Sequence, residues 1–106
     1  RHRLHPVLNR DIRALTGSQS YVKDAPIDLV YVADYTRMGN AAPEVKDLYA
    51  AIDTGFISQN VYLYSASEGL ATVARGTMDR TALGQAMMLR PDQRIILAQT
   101  VGYPKK

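Results

Sequence analysis

One stretch constrains the fold of this chain more than any other: PEVKDLYAAIDTGFISQNVYLYSASEG, from Pro43 to Gly69, which predicts one long helix. Proline suits the first position of a helix, and glycine suits the position just past its end. Between them, residues at three- and four-residue steps predict one buried face. That face comprises Val45, Leu48, Tyr49, Ile52, Phe56, Gln59, Tyr62, Leu63 and Ala66.

The length and composition of this predicted helix indicate a contact outside the chain. From Phe56 to Ala66 it is apolar nearly all round, which is typical of a helix buried on more than one side. It would be roughly 40 Å long, more than a compact chain of this size can enclose. Gly55 indicates a close approach by another group or a helix–helix contact, and the amides of Gln59 and Asn60 need partners if they are buried.

Composition excludes several classes of protein. The chain has 106 residues and no cysteine, which removes disulfides, thiolate metal sites and cysteine nucleophiles. No apolar run reaches the ~18 residues of a membrane span, so we expect no membrane contact and a cytoplasmic location. Because the chain begins at Arg1 rather than Met, a lost targeting segment stays open. The net charge of +3 comes from arginines spread among acids, so we expect no nucleic-acid partner, and an anionic small ligand fits as well.

The other segments predict the element order (β)αβαβαβ. RHRLHPVL is interpreted as the end of a strand, and Asn9 would cap a short helix that ends at Gly17. Strands are predicted over Ile27–Ala33, Leu70–Ala74 and RIILAQTVGYP, the first and last buried on both faces. A further helix, capped by Thr77 or Asp79, would run through Leu89. Such alternation is typical of a sheet covered by helices, and so narrow a sheet predicts more strands from a missing half or a partner chain.

Motifs with a defined catalytic mechanism are not found in the sequence. It contains no GxGxxG or GxxxxGK[ST] phosphate loop, no GxSxG elbow and no HExxH zinc motif. His2 and His5 have the spacing of a metal-binding pair, but no third ligand lies nearby in the sequence. We therefore interpret both histidines as exposed residues near the end of the chain.

A turn after the second predicted strand is the remaining candidate for a site. Val73, Ala74, Arg75 and Gly76 leave a strand and enter a helix, where main-chain N–H groups are free to donate to the edge of a ligand. The alternative is an ordinary turn between a strand and a helix. From the residues alone, the sequence therefore predicts an α/β or α+β domain without a defined chemistry.

At GFISQNVYLYSASEGLATVARG the chain resembles the nitroreductase family. The ordered set is a helix with G-x-x-x-Q-N-x-Y-L, a short strand, a capped helix, a further strand and a closing V-G-Y-P. With APIDLVYVADY before it, the pattern is most similar to the SagB/ThcOx-type dehydrogenase branch. The resemblance covers nearly the whole chain and corresponds to the C-terminal half of the family, so residues 1–106 would be the C-terminal portion of a nitroreductase-like domain.

The resemblance implies an α+β fold with a mixed or antiparallel sheet flanked by helices. It implies an FMN-dependent enzyme that passes a hydride from NAD(P)H through the flavin to a nitroaromatic, a quinone or a similar acceptor. The partner would be a second copy that packs along the long helix, or a chain that carries the missing N-terminal half. Gly55, Gln59 and Asn60 then belong to interface packing rather than to catalysis.

By position, the resemblance implies that Val73, Ala74, Arg75 and Gly76 lie along the flavin ring. A main-chain N–H of Arg75 or Gly76 would donate near flavin N5, and the Arg75 side chain would favour the anionic reduced flavin. The C-terminal residues Lys105 and Lys106 fall near the basic segment that holds the FMN phosphate. The family's arginine/serine phosphate motif and its substrate loop are not among these residues. The alternatives are a non-catalytic assembly module of the same fold and a small nucleotide- or anion-binding regulator.

Overall fold

Three antiparallel strands form the sheet of this protein, for which a computed structural model describes residues 2–105. The strands are β1 (Ile27–Asp34), β2 (Ala71–Arg75) and β3 (Gln93–Gly102), and β3 lies between the other two. Helix α1 (Pro43–Ser67) connects β1 to β2, and α2 (Arg80–Ala86) connects β2 to β3. The α+β class is confirmed, with an antiparallel sheet.

Helix α1 begins and ends where the sequence predicts. Pro43 is its first residue, where a missing N–H costs no helical hydrogen bond. Gly69 has φ +70°, and its N–H donates to the Ala66 carbonyl at 3.4 Å. The Leu70 N–H donates to the Ser65 carbonyl at 2.8 Å. This pair of bonds is the Schellman arrangement, which needs a left-handed residue after the helix and explains the glycine.

The predicted buried face of α1 is wrong for the chain as described. The buried residues of the helix are small, and they are Ala50, Thr54, Ser58 and Ser65. Large apolar side chains point away from the sheet, and Phe56 is 69% exposed and Leu63 59% exposed. Periodicity identifies an apolar face whatever covers it, whereas small side chains let the helix approach the sheet closely. The apolar face therefore lies uncovered within residues 2–105.

The N-terminal segment differs from the prediction. Residues 2–10 have no regular strand or helix, so the predicted strand over RHRLHPVL is wrong. One 3₁₀ turn, Arg13–Thr16, replaces the predicted helix, and Asn9 does not cap it. Asp11 supplies the local support instead, since its Oδ1 accepts from the Arg13 N–H at 3.0 Å. His2 and His5 are exposed, as predicted, and no group of three or more His, Asp or Glu side chains among residues 2–105 could hold a metal ion.

The remaining differences concern how deeply the strands are buried and where α2 begins and ends. Strand β1 is only half-buried, because it is an edge strand. The central strand β3 is buried at Ile95 and at residues 98–100 but only half-buried at Ile96 and Leu97, so the predicted burial on both faces holds only in part.

Helix α2 begins after Asp79, whose Oδ1 accepts from the Ala82 N–H at 3.0 Å, so of the two predicted caps Asp79 is confirmed. It ends before the predicted Leu89, because Met88 has φ +57°. Among the described helices, none is long and apolar enough to cross a membrane.

Candidate functional site

The candidate segment lies at the end of β2, a strand with a neighbour on one side only. The strand includes Arg75, which pairs with Ala98 of β3, so the prediction that Val73–Arg75 form a turn is wrong. Gly76 is the first residue beyond the ladder, and it is exposed. The site is therefore a strand edge that ends in a glycine, with α2 beginning four residues later.

A hydrogen bond to Tyr62 shows which main-chain N–H groups of β2 face its open edge. The Ala74 N–H donates to the Tyr62 hydroxyl at 2.7 Å, so it faces the open edge and not β3. In an antiparallel ladder the direction of the N–H alternates from residue to residue. The N–H of Arg75 therefore faces β3, and the N–H of Gly76 faces the open edge. Within residues 2–105 the Gly76 N–H makes no hydrogen bond.

Nothing within the described chain requires glycine at position 76. Its φ is not in the left-handed region, and an added Cβ would meet only the Leu97 Cδ2 at an ordinary 3.8 Å. Because Gly76 has no side chain, its main chain is accessible from the solvent side. A flat ligand edge has room to approach the free N–H, and a side chain at this position would reduce that room.

The Arg75 side chain points into the protein interior. The side chain is 2% exposed, and its Nε donates to the Thr100 Oγ1 at 2.8 Å. Its Nη1 donates to the Thr16 carbonyl, and its Nη2 lies 3.4 Å from the Asp28 Oδ1. The guanidinium is therefore occupied by protein groups and closed to a ligand. This corrects the expectation that it favours the anionic reduced flavin. Because the Arg75 N–H faces β3, the expectation that it donates to a ligand is also wrong, and the Gly76 N–H is the remaining candidate donor.

A buried ionic network surrounds this guanidinium. The Thr100 Oγ1 donates to the Asp28 Oδ1 at 2.7 Å, so threonine links the two charges. The Asp28 Oδ2 is buried and has no hydrogen-bond partner among the described residues. Gly17 gives the arginine its space, because an added Cβ there would overlap the Arg75 Nη1. We refer to Arg75, Asp28, Thr100 and Thr16 as the ionic network.

A second polar cluster occupies the other face of the sheet. The Tyr31 hydroxyl donates to the Gln99 Oε1 at 2.5 Å, and the Ser58 Oγ donates to the same oxygen at 2.8 Å. The Gln99 Nε2 donates to the Ser58 carbonyl at 3.4 Å. Burial raises the pKa of Tyr31, which keeps its hydroxyl a donor. We refer to these three residues as the amide cluster.

Sequence reasoning missed both networks, although it had a signal for each. Gln99 and Thr100 interrupt the apolar run of β3, the central strand, where buried polar groups need partners. Asp28 interrupts β1 in the same way. Partners for such residues come from distant segments, so the interruption can be read from the sequence but the pairing cannot.

Two open clefts flank the sheet. One, of about 840 Å³, is mostly apolar and is lined by Val73, Thr100 and Tyr103 among others. The other, of about 710 Å³, is lined by Arg80, Arg90 and Arg94. Of the predicted flavin-site residues that the structure describes, Val73 alone lines either of these two clefts.

Lys105, one of the two predicted phosphate-binding lysines, follows the end of the sheet that is opposite Gly76. Strand β3 ends at Gly102, which pairs with Ala71 at the opposite end of β2 from Gly76. Lys105 is exposed three residues beyond that end, and Lys106 lies outside the described residues. The structure therefore brings Val73, Ala74, Arg75 and Gly76 into one strand end, without placing Lys105 beside them.

The sheet, the long helix and the open strand edge define an α+β protein of nitroreductase-like fold. Residues 2–103 match the family model described as the nitroreductase family, so the chain belongs to this family. The match covers nearly all of the described chain, and it confirms the family resemblance read from GFISQNVYLYSASEGLATVARG.

Relatives agree with this assignment. A protein of Methanocaldococcus jannaschii with a provisional nitroreductase name is 32% identical over 80 residues, 72% of this chain and 40% of the relative. A crystal structure from Ralstonia eutropha, also a provisional nitroreductase, is 41% identical with a TM-score of 0.82, and the match covers 91% of this chain and 46% of that one. The NADPH:FMN oxidoreductase of Vibrio harveyi, complexed with NAD⁺, is 26% identical with a TM-score of 0.74, over 87% and 44%. The chain thus spans less than half the length of these three proteins.

Proposed function

We propose that the protein is an FMN-dependent oxidoreductase, and that residues 1–106 form the C-terminal portion of a single nitroreductase-like domain. The observation that carries the proposal is the edge-facing N–H of Gly76, which has no partner within residues 2–105, at a position where nothing in those residues requires glycine. The name of the Vibrio harveyi relative supports FMN as the cofactor. Similarity of the quoted segments supports the SagB/ThcOx-type branch.

The described residues fit the edge of a flavin ring and only part of a flavin site. The Gly76 N–H would donate to the ring near N5, and Val73, Ala74 and Arg75 would form the main-chain surface beside it. Lys105 and Lys106 would contribute positive charge toward the phosphate. When bound, FMN would supply the redox chemistry, which is hydride uptake from NAD(P)H and electron transfer to a nitroaromatic, quinone or similar acceptor. The protein then contributes binding, orientation and a preorganised donor.

The remainder of the site would come from residues outside this sequence. The exposed apolar face of α1, which includes Leu48, Phe56 and Leu63, is the surface we propose for that contact. A homodimer along α1, or pairing with a chain that carries the N-terminal half, would cover it. Large contiguous patches of exposed apolar side chains are typical of protein interfaces.

A matched pair of glycine variants tests the flavin site. Gly76→Ala should keep the fold, because its Cβ meets only Leu97 at 3.8 Å, but it should weaken FMN binding about tenfold or more by narrowing the approach to the N–H. Gly84→Ala, within α2, is the control, since its Cβ would meet only the Leu89 Cδ1 at 4.0 Å. FMN binding is measured by quenching of flavin fluorescence, and folding by circular dichroism.

Two outcomes would count against this site. Equal FMN affinity in the two glycine variants would remove Gly76 from the site. A wild-type protein that includes the residues completing the site, and that is colourless and stays so after incubation with FMN, would remove the proposed cofactor altogether.

A second candidate function is a non-catalytic assembly module with the same fold. The uncovered apolar face of α1 favours it, because an interface alone explains that face without a cofactor. The module would assemble through α1 in the absence of flavin. Replacing Phe56 and Leu63 by Ser would abolish that assembly, while FMN would have no effect on the wild-type oligomeric state.

A further inference from the structure

Two contacts hold the residues that immediately precede Gly76. The Tyr62 hydroxyl of α1 accepts the Ala74 N–H at 2.7 Å, and thus takes the place that a neighbouring strand would fill. The Arg75 guanidinium is fixed in the ionic network, where the Thr16 carbonyl and Thr100 accept its hydrogen bonds. These contacts reach β2 from α1 on one side and from the 3₁₀ turn on the other.

Such a hold is needed at this place because the strand is short and lies at an edge. β2 has five residues, and only β3 supplies it with a ladder. The last pair of that ladder is Arg75 with Ala98, so the direction of the next peptide depends on how firmly Ala74 and Arg75 are fixed. Strand ends without such contacts fray at low free energy.

The packing around Arg75 shows that its position is tightly fitted. Gly17 has no side chain at the point where the Arg75 Nη1 lies, and that nitrogen donates to the carbonyl of the preceding Thr16. An arginine that served only as a surface charge would need neither the glycine nor the buried acceptors.

We propose that Tyr62 and Arg75 are positioning residues, which together fix the direction of the Gly76 N–H at the edge of β2. The Tyr62 hydroxyl bonds to the Ala74 N–H, and the Arg75 side chain is buried in the ionic network. Each acts through the main chain, so Arg75 contributes geometry to the site rather than charge. The consequence for flavin binding rests on the function proposed above, whereas the fixation of the strand end does not.

A pair of tyrosine variants tests the proposal in the intact protein. Tyr62→Phe removes the hydroxyl that accepts the Ala74 N–H. Tyr64→Phe is the control, because Tyr64 is on the same helix, is 63% exposed, and its hydroxyl makes no hydrogen bond within residues 2–105. Hydrogen exchange of the amides of residues 74–78 is measured first without flavin, followed by the FMN dissociation constant and the visible spectrum of bound FMN.

We expect exchange at Ala74 to become about fivefold faster in Tyr62→Phe, as the loss of one modest hydrogen bond implies, with no change in Tyr64→Phe. FMN should bind about fivefold more weakly, and its visible band should shift, because the donor at Gly76 is less well aligned. Arg75→Lys, which keeps the charge but loses the planar fork, should produce the same changes.

The outcomes separate the two proposals. If exchange at residues 74–78 is the same in Tyr62→Phe and Tyr64→Phe, the positioning role is overturned, whatever the flavin data show. If exchange becomes faster only in Tyr62→Phe while the wild type takes up no FMN, the fixation of the strand end stands and the proposed function fails. If exchange becomes faster in Tyr62→Phe but its FMN affinity and the spectrum of its bound FMN equal those of Tyr64→Phe, the role of Tyr62 in the flavin site is overturned.

Discussion

The two faces of the sheet solve the same problem with different chemistry. On the α1 face, the amide cluster buries the neutral side chain of Gln99, with donors from Tyr31 and Ser58. On the other face, the ionic network buries Arg75 against Asp28, under a 3₁₀ turn and irregular chain. Neutral amides lose little when they leave water with their partners, whereas each buried charge depends on its counter-charge.

The difference shows how each face is covered. α1 is a regular helix that packs with small residues, so a few hydrogen bonds are sufficient to fix it against β3. The segment before β1 contributes few buried apolar side chains, notably Val22 and Ala25. The Arg75 side chain compensates for this small apolar contact area, because it donates a hydrogen bond to the Thr16 carbonyl and so joins this segment to the sheet. We therefore expect the ionic network to dominate the stability of the N-terminal segment, and the amide cluster to contribute less.

The largest effect is expected on removal of the arginine. Arg75→Met leaves the Asp28 carboxylate buried without its counter-charge, which should destabilise the protein by about 3–5 kcal/mol. Arg90→Met is the control, since Arg90 pairs with Asp34 and Asp92 at the surface and should cost under about 1 kcal/mol. Urea unfolding followed by circular dichroism measures both. Equal losses would show that the ionic network does not differ from a surface pair.

A smaller effect is expected from crowding the same network. Gly17→Ala places a Cβ where the Arg75 Nη1 lies, and the guanidinium must move, so we expect a loss of about 1–3 kcal/mol. Gly84→Ala adds the same methyl group in open surroundings and should be neutral or stabilising. Thermal unfolding compares the two variants. An unchanged midpoint in Gly17→Ala would mean that the arginine has room to relax.

Disrupting the amide cluster should cost a comparable or smaller amount of stability. A second substitution should recover part of that loss. Gln99→Leu leaves the Ser58 and Tyr31 hydroxyls without their acceptor, which should cost about 1–3 kcal/mol. Adding Ser58→Ala removes one of the unmatched donors, so the double variant should lose less than the sum of the two single variants. Additive losses in the urea unfolding of the three variants would show that Ser58 and Gln99 are not coupled.

Much of the fold was predictable from the sequence, because local chemistry decides it. Pro43, Gly69 and Asp79 act at helix ends through their own backbone and side chain, and the structure confirms each. The face that α1 presents to the sheet was not predictable, because periodicity does not tell whether Phe56 meets this chain or another one.

The candidate site was predictable only in part, for the same physical reason. Its place in the sequence, Val73 to Gly76, was predicted from the passage of a strand into a helix, and its assignment to a flavin ring came from the family resemblance. The inward direction of the Arg75 side chain depends on Thr16 and Asp28, which lie 59 and 47 residues away in the chain. Contacts at such separations leave no local signal beyond the presence of a polar residue in a strand.

The smallest expected effect concerns the acid that supports the 3₁₀ turn above the ionic network. Hydrogen bonds from the Arg13 side chain, and from its main-chain N–H, lower the pKa of Asp11 from 3.8 to about 2. Arg13 in turn donates to the Ala25 carbonyl at 2.5 Å, so Asp11 helps to hold the segment that covers Arg75. Because the pKa is lower in the folded state, the ionised carboxylate stabilises the fold above about pH 4, and this contribution is lost as the pH falls toward about 2.

Asp11→Asn should therefore lower the urea midpoint slightly at pH 7, and most of this difference from the wild type should be lost by pH 2. Asp53→Asn is the control, because Asp53 is exposed on α1 and forms no ion pair in the described part of the chain, and its midpoint should follow the wild type at both values. If the Asp11→Asn difference persists in full at pH 2, the carboxylate charge is not what supports the turn. In that case the ionic network would hold the N-terminal segment without help from Asp11, which would sharpen the contrast between the two faces.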